Sequence, residues 1–263
     1  MSSDERRVAI DAARAAGLLL RDALSGPRHI EFKGSPTNLV TEMDARAERL
    51  VIERLRTAFP NDAVLGEESG PVPGTSGRRW IVDPLDGTTN YAHGMPVFGV
   101  SIGLEVGGRP IVGVVYDPTR DELFAAERGA GAWLGDQRLA VSSVATLNEA
   151  LLATGFPYNV REVADNNVRE FTTFSVRAQG VRRMGSAVIY LAYVAAGRID
   201  GYWELRLGAW DVAAGLLLVE EAGGRVTNLT GGPVDLDTPS IVVSNGRIHG
   251  EMLAVLKEIR EGR

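Results

Sequence analysis

The chain of 263 residues has no cysteine, which excludes disulfides, thiolate nucleophiles and thiolate zinc sites. Histidine is almost as scarce: there are three, and none falls in a metal-ligand spacing such as H-E-x-x-H. Any metal must therefore be held by oxygen. Long apolar runs are missing too. Although 44% of the residues are hydrophobic, no stretch approaches the roughly 20 uninterrupted apolar residues of a membrane span. A soluble protein with no membrane partner is expected. The opening Met-Ser-Ser-Asp-Glu-Arg-Arg passes into an Ala/Leu pattern that carries Arg14 and Arg21, unlike a signal peptide. A cytoplasmic location is expected. Positive charge is in deficit, with 28 Lys and Arg against 34 Asp and Glu for a net charge of −6, which argues against a nucleic-acid partner. An acidic protein can still take an anion where metal ions reverse the sign locally.

What is present is a sequence of apolar runs that end in acids. The central one is Trp80-Ile81-Val82-Asp83-Pro84-Leu85-Asp86-Gly87-Thr88-Thr89-Asn90. It reads as a buried strand emptying into a loop, the place where α/β proteins gather ligand chemistry. Pro84 donates no hydrogen bond, so the strand is predicted to stop there. Two carboxylates in one tight turn repel each other unless a cation lies between them, and oxygen-seeking Mg²⁺ suits the position. Taken alone, the segment is equally an ordinary Asp-Pro…Asp-Gly surface turn.

Helical spacing predicts a first helix over residues 4–25, stopped by Ser25-Gly26-Pro27. A short strand from Ile30 leads into a loop with turn residues at its tip. Thr41 with Asp44 three residues later fits a capping box that opens a second helix, ended by Pro60-Asn61. Residues 63–70 repeat the central pattern, an apolar strand running out into Glu67 and Glu68, and residues 70–79 read as a flexible connection. Segments 97–106 and 110–116 read as strands paired around Gly107-Gly108, and 123–126 and 132–134 continue that sheet. His93, in the loop past the central motif, is given no role.

From about residue 141 the pattern alternates α and β. A strand at 151–154, a helix over 160–178, a strand at 181–183, a helix from Gly185-Ser186-Ala187 to Gly197 and a strand over 199–204 follow in turn. Asp211 occupies an expected N-cap before an apolar helix that runs to Ala222. Residues 241–245 are a last buried strand before a terminal helix. The expected organisation is an N-terminal half (1–140) with most of the acids and a C-terminal half (141–263) that completes the site, within one unit.

Glu67, the Asp83/Asp86 pair, Glu204 and Asp211 thus stand at the ends of apolar runs or the start of an apolar helix. Together they predict carboxylates converging at one end of a sheet, which bound divalent cations make tolerable. That arrangement favours a multi-metal phosphate site. Gly87, lacking a Cβ, lets backbone N–H groups approach a phosphate, and Thr88 and Thr89 supply hydroxyls to orient water.

Three ordered segments, Gly66-Glu67-Glu68-Ser69, Asp83-Pro84-Leu85-Asp86-Gly87-Thr88-Thr89-Asn90 and Trp210-Asp211-Val212-Ala213-Ala214-Gly215, resemble the signatures of the inositol monophosphatase family. The similarity extends from Lys33 to Glu220-Glu221-Ala222-Gly223-Gly224. It implies an α/β fold, a layered α-β-α-β-α sandwich, and Mg²⁺-dependent, lithium-sensitive hydrolysis of a small phosphate monoester by two to three ions. By the same resemblance, Glu67, Asp83 and the Leu85 carbonyl would hold one ion and Asp83, Asp86 and Asp211 the next. Glu67 would assist a weaker third. Thr88, oriented by Asp44, would align the attacking water, and the N–H groups of Gly87 and Thr88 would cradle the phosphate. Lys33 matches a loop lysine near the phosphate, while Gly185, Ser186, Ala187 and Glu204 match the pocket for substrate hydroxyls.

The sequence departs from the family pattern at Asn38, where Asp is usual, and at Tyr190, where Asp or Asn is common. Arg182-Arg183 resembles the bacterial branch and would serve a second phosphate or a partner in a homodimer. Myo-inositol monophosphate is the first expected substrate. Fructose 1,6-bisphosphate, histidinol phosphate and adenosine bisphosphate are those of relatives, although Thr89-Asn90-Tyr91 looks closer to the inositol branch than to the nucleotide one. Some bacterial relatives bind the transcription machinery, which leaves a regulatory role open.

Overall fold

The structure, a computed structural model, describes residues 3–26, 30–32 and 39–262. Helix α1 (Asp4–Ala23) starts at Ser3, whose hydroxyl accepts from the Arg6 N–H at 3.2 Å. Ala9, Ala12, Ala13, Ala16 and Leu20 make its buried stripe. Strands β1 (Ile30–Phe32) and β2 (Leu39–Thr41) pair antiparallel. Between them, Lys33 and Asn38 lie outside the described residues. The capping box at Thr41 is present: Asp44 Oδ2 accepts from the Thr41 N–H at 2.8 Å, and α2 (Glu42–Ala58) follows.

Next come β3 (Ala63–Gly66), β4 (Gly70–Val72), β5 (Arg78–Asp86), the short α3 (Thr88–Ala92), β6 (Gly99–Val106), β7 (Arg109–Asp117), β8 (Glu122–Glu127), β9 (Gly131–Leu134) and β10 (Gln137–Arg138). The strands form one sheet in the order β10-β9-β8-β7-β6-β5-β3-β4. The expected β6–β7 hairpin is there. Both turn glycines have positive φ (59° and 79°), as a tight two-residue hairpin loop requires. The rest of the chain supplies β11 (Leu151–Thr154), α4 (Val168–Ser175), β12 (Gly180–Arg182), α5 (Ala187–Ala195), β13 (Gly201–Glu204), α6 (Ala209–Glu221), β14 (Arg225–Asn228), β15 (Ile241–Ser244) and α7 (His249–Arg260). Its sheet has the order β12-β11-β13-β15-β14.

Five layers result, as the α-β-α-β-α expectation required. Helices α1 and α2 cover one face of the large sheet, with Val100, Ile102, Leu104, Val112 and Val114 pointing to them. Helices α5 and α6 fill the space between the sheets, and α4 and α7 close the outer face of the small one. A helix between two sheets must be apolar all round, which explains why Val212 through Val219 are buried without a polar stripe. Each of its fully buried Leu and Val side chains contributes about 1.5–3 kcal/mol.

The approach of α6 is unusually close because two glycines face it. A Cβ on Gly113 would lie 2.6 Å from the Ala214 carbonyl oxygen, and one on Gly103 would lie 3.0 Å from the Ala213 Cβ. This seats the N-terminus of α6 on β5, where Ile81 packs with Ala209 and Ala213 and the Ser101 hydroxyl donates to the Trp210 carbonyl at 3.1 Å. Asp211 is thereby set beside the end of the central strand.

Several expectations are corrected. Strand β5 does not stop at Pro84 but continues to Asp86, because its register with β6 shifts between Asp83 and Asp86 and that irregularity accommodates a residue with no donor. The 70–79 connection contains β4, antiparallel to β3. Residues 160–178 are not one helix, since α4 begins only at Val168. The cause is Asn167, held at φ 67°, whose buried amide donates to Thr154 Oγ1 (2.7 Å) and the Gly155 carbonyl (2.6 Å) and accepts from Trp203 Nε1 (2.7 Å). Asp211 is not the N-cap of α6. Gly208 holds that position, and Asp211, three residues on, accepts from the Gly208 N–H at 2.6 Å. Strand β14 was not anticipated.

Candidate active site

Strands β3 and β5 run parallel, Gly66 opposite Val82, and the Glu67 N–H donates to the Val82 carbonyl at 3.2 Å. Glu67 and Asp83 therefore leave the same end of the sheet. Asp211 reaches that end from α6, and Asp86 from the last residue of β5. One carboxylate oxygen from each of Asp83, Asp86 and Asp211 lies within 4.8 Å of the other two. Glu67 is outside this tight triplet, yet its charge acts on both Asp83 and Asp211.

The electrostatics follow from burial. Asp83 is pushed well above the ordinary carboxylate range, first by burial and then by Glu67, Asp86 and Asp211. Asp211 rises likewise through burial, Asp86 and Glu67. Asp86 rises through burial, opposed by hydrogen bonds from the Val188 N–H (2.7 Å) and the Ser186 hydroxyl (2.9 Å). Like charges at this spacing repel by about 3–4 kcal/mol per pair at an effective dielectric near 20. That exceeds the roughly 1 kcal/mol net worth of a hydrogen bond, so such contacts alone do not balance the triplet. A donor set made only of oxygens, packed this tightly, suits a divalent cation.

Leu85 is buried; its N–H donates to Asp83 Oδ1 at 3.0 Å and its carbonyl accepts from the Thr88 hydroxyl at 3.1 Å. The same hydroxyl lies 3.0 Å from Asp44 Oδ1. Asp44 therefore caps α2 with one oxygen and meets Thr88 with the other. Gly87 precedes α3 at φ 96°, and a Cβ there would meet the Val97 carbonyl oxygen at 2.9 Å, so only glycine fits the turn.

These groups border a cavity of about 390 Å³ whose wall includes Asp86, Gly87, Gly185, Ser186, Ala187, Glu204 and Asp211. Asp44, Asp83 and Thr88 are buried residues rather than wall residues. Glu204, at the end of β13, receives the Tyr202 hydroxyl; burial first and Asp86 after it raise the carboxyl to about 7, against the lowering effect of the Tyr202 hydrogen bond and the Arg183 charge. Space for it comes from Gly155, where a Cβ would lie 2.2 Å from both carboxylate oxygens. Tyr190 turns its hydroxyl to the Met184 N–H.

Sequence reasoning missed Gly155, Phe156, Pro157, Tyr158, Val160 and Arg206, all on the cavity wall, and His93, given no role, lies there too. Tyr158 is the most consequential: its residue is half exposed, yet its phenol is driven far above its ordinary value by burial and then by Glu67, Asp86, Asp211 and Asp83. Asn90 was quoted only within its motif; its amide donates to the Val97 and Met184 carbonyls at 2.8 Å each, tying α3 to the 184 segment.

A five-layer sandwich with an oxygen-only acid cluster at a sheet end, beside a polar cavity, defines a phosphatase of the metal-dependent kind. The chain belongs to the inositol monophosphatase family, whose profile matches residues 2–261. The inositol-1-monophosphatase of Synechocystis is 45% identical, covering 95% of this chain and 87% of its own. A protein of Escherichia coli K12 named Nus factor SuhB is 43% identical over 95% of each chain. The solved inositol monophosphatase of Anabaena superposes with a TM-score of 0.87 at 43% identity, covering 96% of this chain and 95% of that one. Among the described residues, no helix is long and apolar enough to cross a membrane.

Proposed function

We propose that the protein is a Mg²⁺-dependent phosphomonoesterase that hydrolyses myo-inositol monophosphate or a similar polyol phosphate to the alcohol and inorganic phosphate. The observation that carries this is the oxygen triplet of Asp83, Asp86 and Asp211 within 4.8 Å, beside a cavity whose wall also bears Glu204. Glu67, Asp83 and the Leu85 carbonyl would hold one ion, Asp83, Asp86 and Asp211 a second, with Glu67 assisting a weaker third. When bound, the ions neutralise phosphate charge and lower the pKa of water.

The chain's own residues supply orientation. Both oxygens of Asp44 are engaged, Oδ2 by the Thr41 N–H and hydroxyl at 2.8 and 2.6 Å and Oδ1 by Thr88. With its proton committed inward, Thr88 Oγ1 presents a lone pair, so it accepts from the attacking water and aligns it. The water adds to phosphorus, the P–O bond to the alcohol breaks, and the departing oxygen takes a proton. Gly87 and Thr88 N–H groups cradle the phosphate, and the charge of Lys33 is assigned to it as well. Glu204, Gly185, Ser186 and Ala187 receive the polyol.

The test is phosphate release from a substrate panel with Mg²⁺, with chelator and with lithium. Turnover of inositol monophosphate is expected with Mg²⁺, with inhibition by millimolar lithium; full turnover in EDTA would sink the reading. A homodimer is proposed with it, and sedimentation would measure that directly. A second reading, a role in transcription, is favoured by the E. coli relative named a Nus factor. Retention of RNA polymerase components by wild type and Asp86→Asn alike would support it, and retention by neither would remove it.

A further inference from the structure

Glu67 brings its charge to the acid cluster from a turn of three residues, Glu67-Glu68-Ser69, that joins β3 to β4. The main-chain N–H groups of such a turn need partners, and in a surface turn water ordinarily supplies them. Here the protein takes all three. The Glu67 N–H donates to the Val82 carbonyl at 3.2 Å, the Glu68 N–H to Glu48 Oε2 at 2.8 Å and the Ser69 N–H to Glu48 Oε1 at 2.8 Å. Both oxygens of one side chain are thereby committed to the two residues after Glu67.

Glu48 is 2% exposed, and among the described residues its partners are these two N–H groups rather than a cation. A buried carboxylate without a counter-ion costs stability, so packing alone does not account for it. Room is made on the other side as well: a Cβ on Gly66 would lie 2.5 Å from Glu48 Oε2 and 2.7 Å from its Cδ, so only glycine admits the carboxylate. Glu48 stands one helical turn beyond Asp44, on the same face of α2. Asp44 holds Thr88 in the turn after β5, and Glu48 holds the turn after β3. One helix thus sets two turns that leave parallel strands at the same end of the sheet.

We infer that Glu48 is a positioning residue for Glu67: by holding the main chain at Glu68 and Ser69, it keeps the Glu67 carboxylate at the acid cluster, ready for a cation. This rests on the phosphomonoesterase reading, in which Glu67 is a metal ligand. Glu48 lies off the cavity wall and acts through the backbone.

The experiment titrates Mg²⁺ alone into wild type, Glu48→Gln and Glu48→Asp by calorimetry, and records the melting temperature of each in EDTA. Glutamine keeps the volume but turns a donor toward one of the two N–H groups; aspartate keeps the charge and is one methylene too short to meet both. Each should raise the Mg²⁺ dissociation constant about tenfold. The Mg²⁺ needed for half-maximal phosphate release should rise in parallel, while KM for inositol monophosphate at saturating Mg²⁺ stays close to wild type. A merely structural role lowers the melting temperature and leaves the Mg²⁺ affinity where it is, and that result in both variants overturns the inference. Affinity lost with glutamine alone overturns it too, because charge and not the course of the turn would then be the cause. Should Glu48→Gln not fold, Glu48→Asp decides: a tenfold loss supports the inference and wild-type affinity overturns it. A wild type that binds Mg²⁺ but releases phosphate from no substrate would instead defeat the phosphomonoesterase reading, while the affinities still decide for Glu48.

Discussion

The Thr88 hydroxyl meets Asp44 Oδ1 at 3.0 Å across 44 positions of sequence, joining the entrance of α3 to the first turn of α2. One carboxylate thus starts a helix and sets the direction of a hydroxyl at the acid cluster. Thr88→Val keeps the volume and removes the oxygen. It should lower kcat by about 100-fold or more with little change in KM, and cost about 1–3 kcal/mol by stranding buried acceptors. Thr88→Ser should stay within about tenfold of wild type. Steady-state kinetics with a parallel urea titration measures both, and near-normal kcat in the valine variant would rule out the positioning role.

The crowding of Asp83, Asp86 and Asp211 makes activity and stability oppose each other. Asp83→Asn keeps an oxygen to accept from the Leu85 N–H while removing one charge from the cluster. Activity should vanish, whereas in EDTA the variant should melt higher than wild type by several degrees, since relieving a buried like-charge cluster is worth about 1–3 kcal/mol. Adding Mg²⁺ should raise the melting temperature of wild type and leave the variant nearly unmoved. A variant that melts lower than wild type in EDTA would show that the acids do not strain the fold.

The difference between what the sequence disclosed and what it hid has a physical basis. Glu67, Asp83, Asp86 and Asp211 were legible because each interrupts an apolar run, and runs that end at one edge of a sheet bring their last residues together. The five layers were legible through the resemblance, while periodicity located most of the elements. Strand β5 passing Pro84 was not, because a bulge depends on the partner strand. Nor was the shortness of α4: Asn167 is fixed by Thr154, Gly155 and Trp203, contacts that exist only once the chain has folded. Tyr158 and Arg206 were hidden for the same reason, as side chains placed by loops carry no periodic signal.

Glu204 tests the polyol part of the proposal. Buried beside Tyr202 and raised to about 7, it accepts or donates to substrate hydroxyls according to its protonation. Glu204→Gln retains the shape and should reduce kcat/KM for inositol monophosphate by about 10–100-fold, with a much smaller loss on an aryl phosphate that offers no hydroxyls. Equal losses on the two substrates would remove the argument for a polyol leaving group.

His249 predicts an acid limit to stability that is independent of the active site. It is buried between Ser244 and Thr227, whose hydroxyls lie 2.9 Å from Nδ1 and Nε2, and burial, aided by Arg225, lowers it to about 4. In the unfolded chain a histidine titrates near 6.5. Between those values the unfolded state holds the extra proton, so this group's contribution is complete above about pH 6.5 and is lost as pH falls toward 4. At pH 5 the loss is at most about 2 kcal/mol. The acid cluster works with the opposite sign, because its raised carboxylates favour the folded state on acidification. Comparing wild type with His249→Gln cancels that background. Urea titrations at pH 7 and pH 5 should show wild type losing about 2 kcal/mol more than the variant between the two conditions, at equal m-values. Parallel losses in both proteins would mean that His249 is not held neutral by the fold.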